Sequence, residues 1–122
     1  MDILILDDDP HRHGWFRAAF PAENLASVST YAGAISMLKS GRKYHMVFLD
    51  HDLNLWGSSS TDGNGYQFTG ADVAWYIANE MPDELRPNLV WIHSKNPDGA
   101  ENITNILKVQ GIKTRTVPFG SF

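Results

Sequence analysis

Five carboxylates fall within two short segments of this sequence, although the whole chain contains fourteen acidic residues. Asp7, Asp8 and Asp9 form one segment, and Asp50 and Asp52 belong to the other. Carboxylates crowded in this way repel one another unless a cation or protons neutralise them. Mg²⁺ takes oxygen ligands, usually one or two carboxylates together with water and a substrate phosphate. The pattern predicts a metal site held by Asp7, Asp8 and Asp50, with Asp52 contributing its side chain or its carbonyl.

Two histidines stand beside these carboxylates. His51 separates Asp50 from Asp52, and His93 ends a later apolar segment. Because imidazole titrates near neutral pH, it is the usual general acid or base of an active site. Both histidines are therefore predicted to act as proton-transfer groups or as metal ligands. Carboxylates alone suit Mg²⁺, whereas nearby imidazoles would also admit Mn²⁺ or another transition metal.

The three residues after His93 have side chains that suit a phosphate. The hydroxyl of Ser94 can bind a phosphate oxygen, and Lys95 can neutralise its charge unless it is an ordinary surface lysine. Asn96 is placed to cap a helix, whose free N–H groups and positive dipole favour an anion. Ser94, Lys95 and Asn96 are therefore predicted to bind phosphate.

Apolar runs at intervals along the chain predict five strands. The runs Asp2 to Asp7, His45 to Asp50 and Asn88 to His93 are almost continuously apolar, as in strands covered on both faces. A shorter run, Leu25 to Ser29, predicts another strand. Lys113 to Val117 is more polar and predicts a strand at the edge of the sheet.

Helix-start signals lie between these runs. Four helices are predicted, and they begin at the capping positions Asp9-Pro10, Thr30, Thr69 and Asn96-Pro97. Trp75 falls within the third of these helices and Trp91 within the fourth strand. Both tryptophans are expected in the core.

Strand and helix alternate, which predicts a three-layer α/β fold with a parallel sheet in the flavodoxin-like order 2-1-3-4-5. The chain is expected to form a single domain over residues 1–122. Only five residues follow Val117, too few for a fifth helix, so part of the first helix's face should be uncovered. That uncovered face predicts a homodimer. Ligands of such sheets bind at the carboxyl ends of the strands where the order reverses, between strands one and three.

A long segment, Leu53 to Phe68, shows little structural signal. Loops of this length are usually lids, binding loops or disordered. Trp56, Tyr66 and Phe68 lie in it or at its edge, and their rings can either stack on a nucleobase or anchor the loop. The sequence does not favour one role over the other.

The overall composition argues against several classes of protein. Net charge is −4 and the basic residues are scattered, which argues against binding of duplex nucleic acid. There are no cysteines, which excludes disulfides and cysteine-ligated zinc. The apolar run Ile3 to Leu6 is too short for a signal peptide or a membrane span. A cytoplasmic protein without a membrane partner is expected.

Three segments resemble those of the cyclic-phosphate-processing receiver domains, a family with a receiver-like fold. They are LDDDPHRH (Leu6 to His13), FLDHDL (Phe48 to Leu53) and HSKNPDGAENI (His93 to Ile103). The resemblance implies that the substrate is a cyclic phosphate, at an RNA end or in a nucleotide.

Response-regulator receivers share part of this pattern. In that family an acidic pair and the aspartate after strand three bind Mg²⁺, that aspartate accepts a phosphoryl group, and a Ser or Thr after strand four contacts it. The resemblance implies these roles for Asp7, Asp8, Asp50 and Ser94. Receivers also carry a Lys before a Pro at the end of strand five, where this chain has Val117.

Three functions stay open at this point. The first is a metal-dependent phosphoesterase using His51 and His93 as acid and base, with a covalent route through Asp50 less favoured because the Lys is missing. The second is a degenerate receiver that signals or binds a nucleotide without catalysis. The third is a phosphoacceptor at Asp50 with Lys95 replacing the missing Lys. The two added histidines favour the enzyme.

Overall fold

A parallel sheet forms the middle of the fold. The computed structural model describes residues 1–53 and 60–118. Within them the sheet has five strands in the order β2-β1-β3-β4-β5, and every neighbouring pair is parallel. The strands are β1 (Asp2–Leu6), β2 (Asn24–Val28), β3 (Met46–Leu49), β4 (Leu89–Ile92) and β5 (Thr114–Thr116). The predicted strand order and the edge position of the last strand are confirmed.

Four α-helices join the strands in the described part of the chain. They are α1 (Pro10–Ala19), α2 (Tyr31–Leu38), α3 (Gly70–Asn79) and α4 (Pro97–Val109), and a short 3₁₀ turn (Asp83–Leu85) precedes β4. The predicted capping side chains, Asp9, Thr30, Thr69 and Asn96, each accept a hydrogen bond from a backbone N–H in the first turn of a helix. None of the helices described is long and apolar enough to cross a membrane.

Alternate residues of the strands face two separate cores. Ile3 and Ile5 of β1 pack with Phe16 of α1 and Phe48 of β3. Leu4 and Leu6 face the other way, towards the helices α2, α3 and α4. The sheet is therefore covered on both faces, which is the predicted three-layer arrangement.

The face towards α1 is the more thinly covered one. Among the described residues, α1 is the helix that packs there, and Trp91 and Met46 pack at its edge only partly buried. The indole Nε1 of Trp91 donates a weak hydrogen bond to the sulfur of Met46 at 3.4 Å. The homodimer expected from this face stays a prediction.

The expectation for Trp75 is wrong. Its side chain is 51% exposed, whereas Val73, Ala74 and Ile77 of the same helix are fully buried. Val73 and Ile77 are four residues apart and share one face of α3, and Trp75 lies midway between them along the chain, on the opposite face.

Each of the three central strands ends one residue before a functional candidate. Asp7, Asp50 and His93 lie just outside β1, β3 and β4, so the observed strands are shorter than predicted at this end. The backbone N–H of each of these residues still donates to a carbonyl of the strand beside it in the sheet. The carboxyl edge of the sheet thus holds their side chains close together.

Candidate functional site

A cluster of three buried carboxylates lies at the carboxyl edge of the sheet. Asp7, Asp8 and Asp50 each offer an oxygen, and these oxygens lie within 4.8 Å of one another. The three residues are only 0%, 7% and 6% exposed. Little water reaches them, so their mutual repulsion is poorly screened. A buried all-oxygen donor set of this kind fits a hard divalent cation such as Mg²⁺.

The protonation states within this carboxylate cluster differ. Burial, reinforced by the negative charges of Asp7 and Asp8, raises the pKa of Asp50 to about 8, and nearby Arg12 opposes that rise. Burial also acts to raise the pKa of Asp7, but hydrogen bonds from His93 and from the Asp9 N–H outweigh it and lower this pKa. At neutral pH and without a metal, Asp7 is charged while Asp50 holds a proton.

Asp7 is fixed by contacts to both its side chain and its main chain. Nε2 of His93 lies 2.9 Å from one carboxylate oxygen, and the N–H of Asp9 donates to the other at 2.8 Å. Nε2 of His13 lies 2.6 Å from the Asp7 carbonyl oxygen. Because a carbonyl only accepts, Nε2 of His13 carries the hydrogen. These contacts hold Asp7 in one orientation.

Arg12 is the cation nearest to the carboxylate cluster in the described structure. Its Nη1 lies 3.3 Å from an oxygen of Asp7 and 3.7 Å from an oxygen of Asp50, and its Nε lies 3.8 Å from Asp9. The guanidinium therefore offsets part of the cluster's negative charge. The sequence reasoning gave no role to Arg12 or to its neighbour His13. The sequence feature that could have identified them is their position in the first turns of the helix that follows the acidic segment.

His51 stands between the end of β3 and the start of α4. Its Nδ1 lies 2.8 Å from a carboxylate oxygen of Asp52, and its ring packs directly on Gly99. A Cβ at Gly99 would lie 2.5 Å from the ring. The carboxylate of Asp52 is 56% exposed and does not join the carboxylate cluster. The structure thus pairs Asp52 with His51 instead of with Asp7, Asp8 and Asp50.

A second glycine seats the chain beside Asp50. A Cβ at Gly70 would lie 2.0 Å from the carbonyl oxygen of Asp50, which is far too close for any side chain. The N–H of Gly70 donates to the carbonyl of His51 at 2.8 Å. The start of α3 therefore packs tightly against the backbone of Asp50 and His51. Neither Gly70 nor Gly99 was assigned this role from the sequence, because close approach depends on the tertiary fold.

The imidazole of His93 is inside the protein. Its side chain is 0% exposed, and its ring lies 5.7 Å from that of Phe16, centroid to centroid. Through Nε2 it reaches the carboxylate of Asp7. His93 thus contacts the carboxylate cluster through its hydrogen bond to Asp7, and its ring is not exposed to solvent.

Ser94, Lys95 and Asn96 form the turn between β4 and α4. The hydroxyl oxygen of Ser94 accepts from the N–H of Asn96 at 3.0 Å, so its own hydrogen is left to donate elsewhere. The side-chain oxygen of Asn96 accepts from the N–H of Gly99, which is the predicted cap. Lys95 is exposed. The three residues follow His93, whose Nε2 contacts Asp7 of the carboxylate cluster.

The three aromatic residues considered for base stacking have different positions. Trp56 lies outside the described residues. The hydroxyl of Tyr66 donates to Asp72 of α3 at 2.8 Å, and its ring meets that of Phe68 edge-on. Phe68 in turn stacks on Tyr31 of α2, with 3.9 Å between ring centroids. Phe68 therefore anchors the loop to the helices, and Tyr66 lies against α3.

Solved structures with a similar fold are response-regulator receivers. One is a response regulator from Burkholderia pseudomallei (TM-score 0.65, 12% identity). The match covers 99% of this chain and 61% of that protein's chain. Another is a CheY-like receiver domain protein from Methanospirillum hungatei (TM-score 0.64, 13% identity), with 99% and 82% covered. A third is the response regulator TrrA from Thermotoga maritima (TM-score 0.64, 14% identity), with 98% and 88% covered.

At these low identities the structural matches establish the fold. This chain spans less than two thirds of the length of the Burkholderia protein. No curated protein matches the sequence. The model of one sequence family, the cyclic-phosphate processing receiver domain, matches residues 2–109. Since this match covers most of the sequence, the chain belongs to the family of cyclic-phosphate-processing receiver domains.

Proposed function

We propose that this domain is a metal-dependent phosphoesterase that opens a cyclic phosphate of a nucleotide or an RNA end. The observation that carries the proposal is the buried cluster of Asp7, Asp8 and Asp50, with one oxygen of each within 4.8 Å of the others. Three carboxylates kept out of water cost stability unless a ligand compensates for it. Membership of a family described as processing cyclic phosphates supports the same substrate class.

Asp7, Asp8 and Asp50 are the residues that would hold the cation, Mg²⁺ or Mn²⁺. The response regulator from Thermotoga maritima, which has a similar fold, was solved with Mg²⁺ and BeF. When bound, the cation would supply Lewis acidity that polarises a phosphate ester and positive charge that offsets the phosphate's own. The lowered pKa of Asp7 keeps one ligand charged, whereas Asp50 must release its proton before it can serve.

His51 is the proposed proton-transfer residue. With Nδ1–H donated to Asp52, the lone pair lies on Nε2, which is the form that a general base needs. His51 would take a proton from water as its oxygen bonds to phosphorus, and return it to the ribose oxygen that leaves. Asp52 orients the ring through its contact with Nδ1, and Gly99 leaves the space in which the ring sits.

His93 acts through Asp7 in this proposal. Its buried Nε2–H is donated to the carboxylate, so it sets the charge and the orientation of a ligand. This arrangement favours positioning over the direct proton transfer expected from the sequence.

Four groups suit the non-bridging oxygens of the phosphate. The free hydroxyl hydrogen of Ser94 and the ammonium of Lys95 come from the β4–α4 turn, and Asn96 begins the helix whose N-terminus favours anions. Arg12 adds a guanidinium, which binds phosphate well through two parallel N–H groups.

A hydrolysis screen tests this proposal. Purified protein is incubated with 2′,3′-cyclic nucleotides, 3′,5′-cyclic nucleotides, cyclic dinucleotides and an RNA ending in a cyclic phosphate, with Mg²⁺, Mn²⁺ or a chelator. The expected result is metal-dependent opening of a phosphate ring that is lost in Asp50→Asn, a variant of the same size without the charge. Absence of turnover in folded protein that binds the metal would overturn it.

The non-enzymatic alternative has one observation in its favour. Val117 stands where receivers carry their Lys, and it follows β5 with its N–H bonded to the carbonyl of Ile92. A receiver without that Lys can bind a nucleotide or a partner without turnover. The remaining alternative, phosphorylation of Asp50, predicts that acetyl phosphate adds the mass of one phosphoryl group to the wild type but not to Asp50→Asn.

A further inference from the structure

A groove runs from the candidate site along α4 to β5. Its volume is about 810 Å³. Among the described residues that line it are Arg12, Lys95, Glu101, Thr104, Thr116 and Val117. This groove, the α4–β5 groove, is within the size range of pockets for small organic ligands. It is continuous with the site, because Arg12 also contacts Asp7 and Asp50.

The charges of the α4–β5 groove are arranged from one end to the other. Arg12 and Lys95 are the cationic side chains among its described lining residues, and both lie at the end next to the carboxylate cluster. Farther along, the charged lining residue is Glu101, whose carboxylate would repel an anion. The groove therefore suits a ligand with one phosphate, held at the end next to the cluster.

The remainder of the α4–β5 groove suits a sugar and a base. Pro97, Ala100 and Val117 give it apolar walls, and Thr104 and Thr116 bring hydroxyls whose oxygens lie 3.4 Å apart. From Pro97 to Thr104 the helix rises by about 10 Å, comparable with the length of a nucleoside. The carboxylate of Glu101 can accept hydrogen bonds from the N–H groups of a base.

We infer that the α4–β5 groove is the nucleoside subsite of this domain, and that its ligand is a mononucleotide carrying a single cyclic phosphate. This inference rests on the proposed function for the identity of the phosphate, and it adds where the sugar and base lie. A cyclic dinucleotide fits less well, because its second phosphate would face Glu101 instead of a cation.

The test compares two substrates of the same reaction, adenosine 2′,3′-cyclic phosphate and glycerol 1,2-cyclic phosphate, which lacks a nucleoside. Thr116→Trp places a bulky ring in the groove at an exposed position of an edge strand, where aromatic residues are well tolerated. The ratio of kcat/KM for the nucleotide to that for the glycerol compound is expected to fall about tenfold or more, since several contacts are lost together. Arg115→Trp is the matched control. Arg115 directly precedes Thr116 in β5 but lies outside the groove, so this variant should leave that ratio unchanged.

A binding measurement keeps this test independent of turnover. Adenosine 2′-monophosphate, a molecule of the product class, is titrated into the wild type and followed by NMR at the methyl groups of Thr104 and Thr116. Shifts at both residues in the wild type, together with a weaker shift at Thr104 in Thr116→Trp, support the subsite even if no substrate is hydrolysed, in which case only the proposed function fails. Hydrolysis of the glycerol compound without any preference for the nucleotide, and without these shifts, overturns the subsite.

Discussion

His93 hydrogen-bonds to the carboxylate of Asp7 across the end of the strand that separates them. The two residues are 86 positions apart, and Nε2 lies 2.9 Å from Oδ2. Asp7 follows β1 and His93 follows β4, while β3 lies between these strands and leads into Asp50. The contact therefore links the ends of β1 and β4 next to the end of β3, where the carboxylate cluster lies.

The first prediction follows from this contact. His93→Ala removes a donor and a buried ring, so the pKa of Asp7 should rise and stability should fall by about 2–3 kcal/mol. His93→Gln keeps a donor and should retain more of the turnover and of the metal affinity than His93→Ala. Metal titrations and pH–rate profiles distinguish the two roles. If His93→Gln loses one limb of the wild-type pH–rate profile, His93 itself transfers a proton and the positioning role is wrong.

A second prediction concerns stability without metal. The pKa of Asp50 is raised to about 8 in the folded protein, well above its usual value of 3.8, so the folded state binds this proton more tightly than the unfolded state. The contribution of Asp50 to stability is therefore highest below about pH 4 and falls as pH rises to about 8. Asp50→Asn avoids the charge and should exceed the wild type in unfolding free energy near pH 9 by about 2 kcal/mol or more.

Urea unfolding with a chelator at several pH values measures this difference. Near pH 3 the two proteins should have similar free energies of unfolding, because Asp50 is then largely neutral in both the folded and the unfolded wild type. A high concentration of Mg²⁺ should reverse the order at high pH, since it stabilises more strongly the protein that binds it more tightly. A metal-free wild type more stable than Asp50→Asn near pH 9 would contradict the buried repulsion.

Metal affinity gives a third prediction. The cation and the proton compete for Asp50, so below its pKa of about 8 the Mg²⁺ dissociation constant should rise about tenfold for each unit that the pH falls. Calorimetric titrations between pH 6 and pH 9 measure the dependence. In Asp50→Asn the affinity should be weaker and nearly independent of pH across this range, because Asp7 has a lowered pKa and stays charged. A wild-type affinity that does not change with pH would show that the site binds no metal through Asp50.

The fold was predictable from the sequence because the local signals agreed with the tertiary arrangement. The strands β1, β3 and β4 are short apolar runs, and the caps Asp9 and Asn96 stand where helices begin. Alternation of the elements then leaves few topologies to choose from. Trp75 was misplaced because a large apolar residue in a helix was expected in the core without regard to which face it occupies.

The site was predictable in part. That Asp7, Asp8 and Asp50 meet followed from the strand order alone, since the carboxyl ends of parallel strands lie at one edge. The pairing of Asp52 with His51 could not be predicted, because it depends on how the backbone turns after β3. The same holds for Arg12, whose contact with Asp50 bridges two elements that no sequence spacing relates.

The fourth prediction tests the seat of His51. In Gly99→Ala the new methyl carbon would lie 2.5 Å from the His51 ring, and the ring must move because the helix backbone is less free to do so. Turnover should fall about tenfold or more through misplacement of the ring, while stability changes by only about 1 kcal/mol because alanine favours the helix. Gly14→Ala is the matched control, since its nearest neighbour would be 3.9 Å away. This control should unfold at slightly higher urea and keep wild-type turnover. The ring signals of His51 in NMR spectra report its position directly, and unchanged signals together with unchanged turnover in Gly99→Ala would remove His51 from the proposed mechanism.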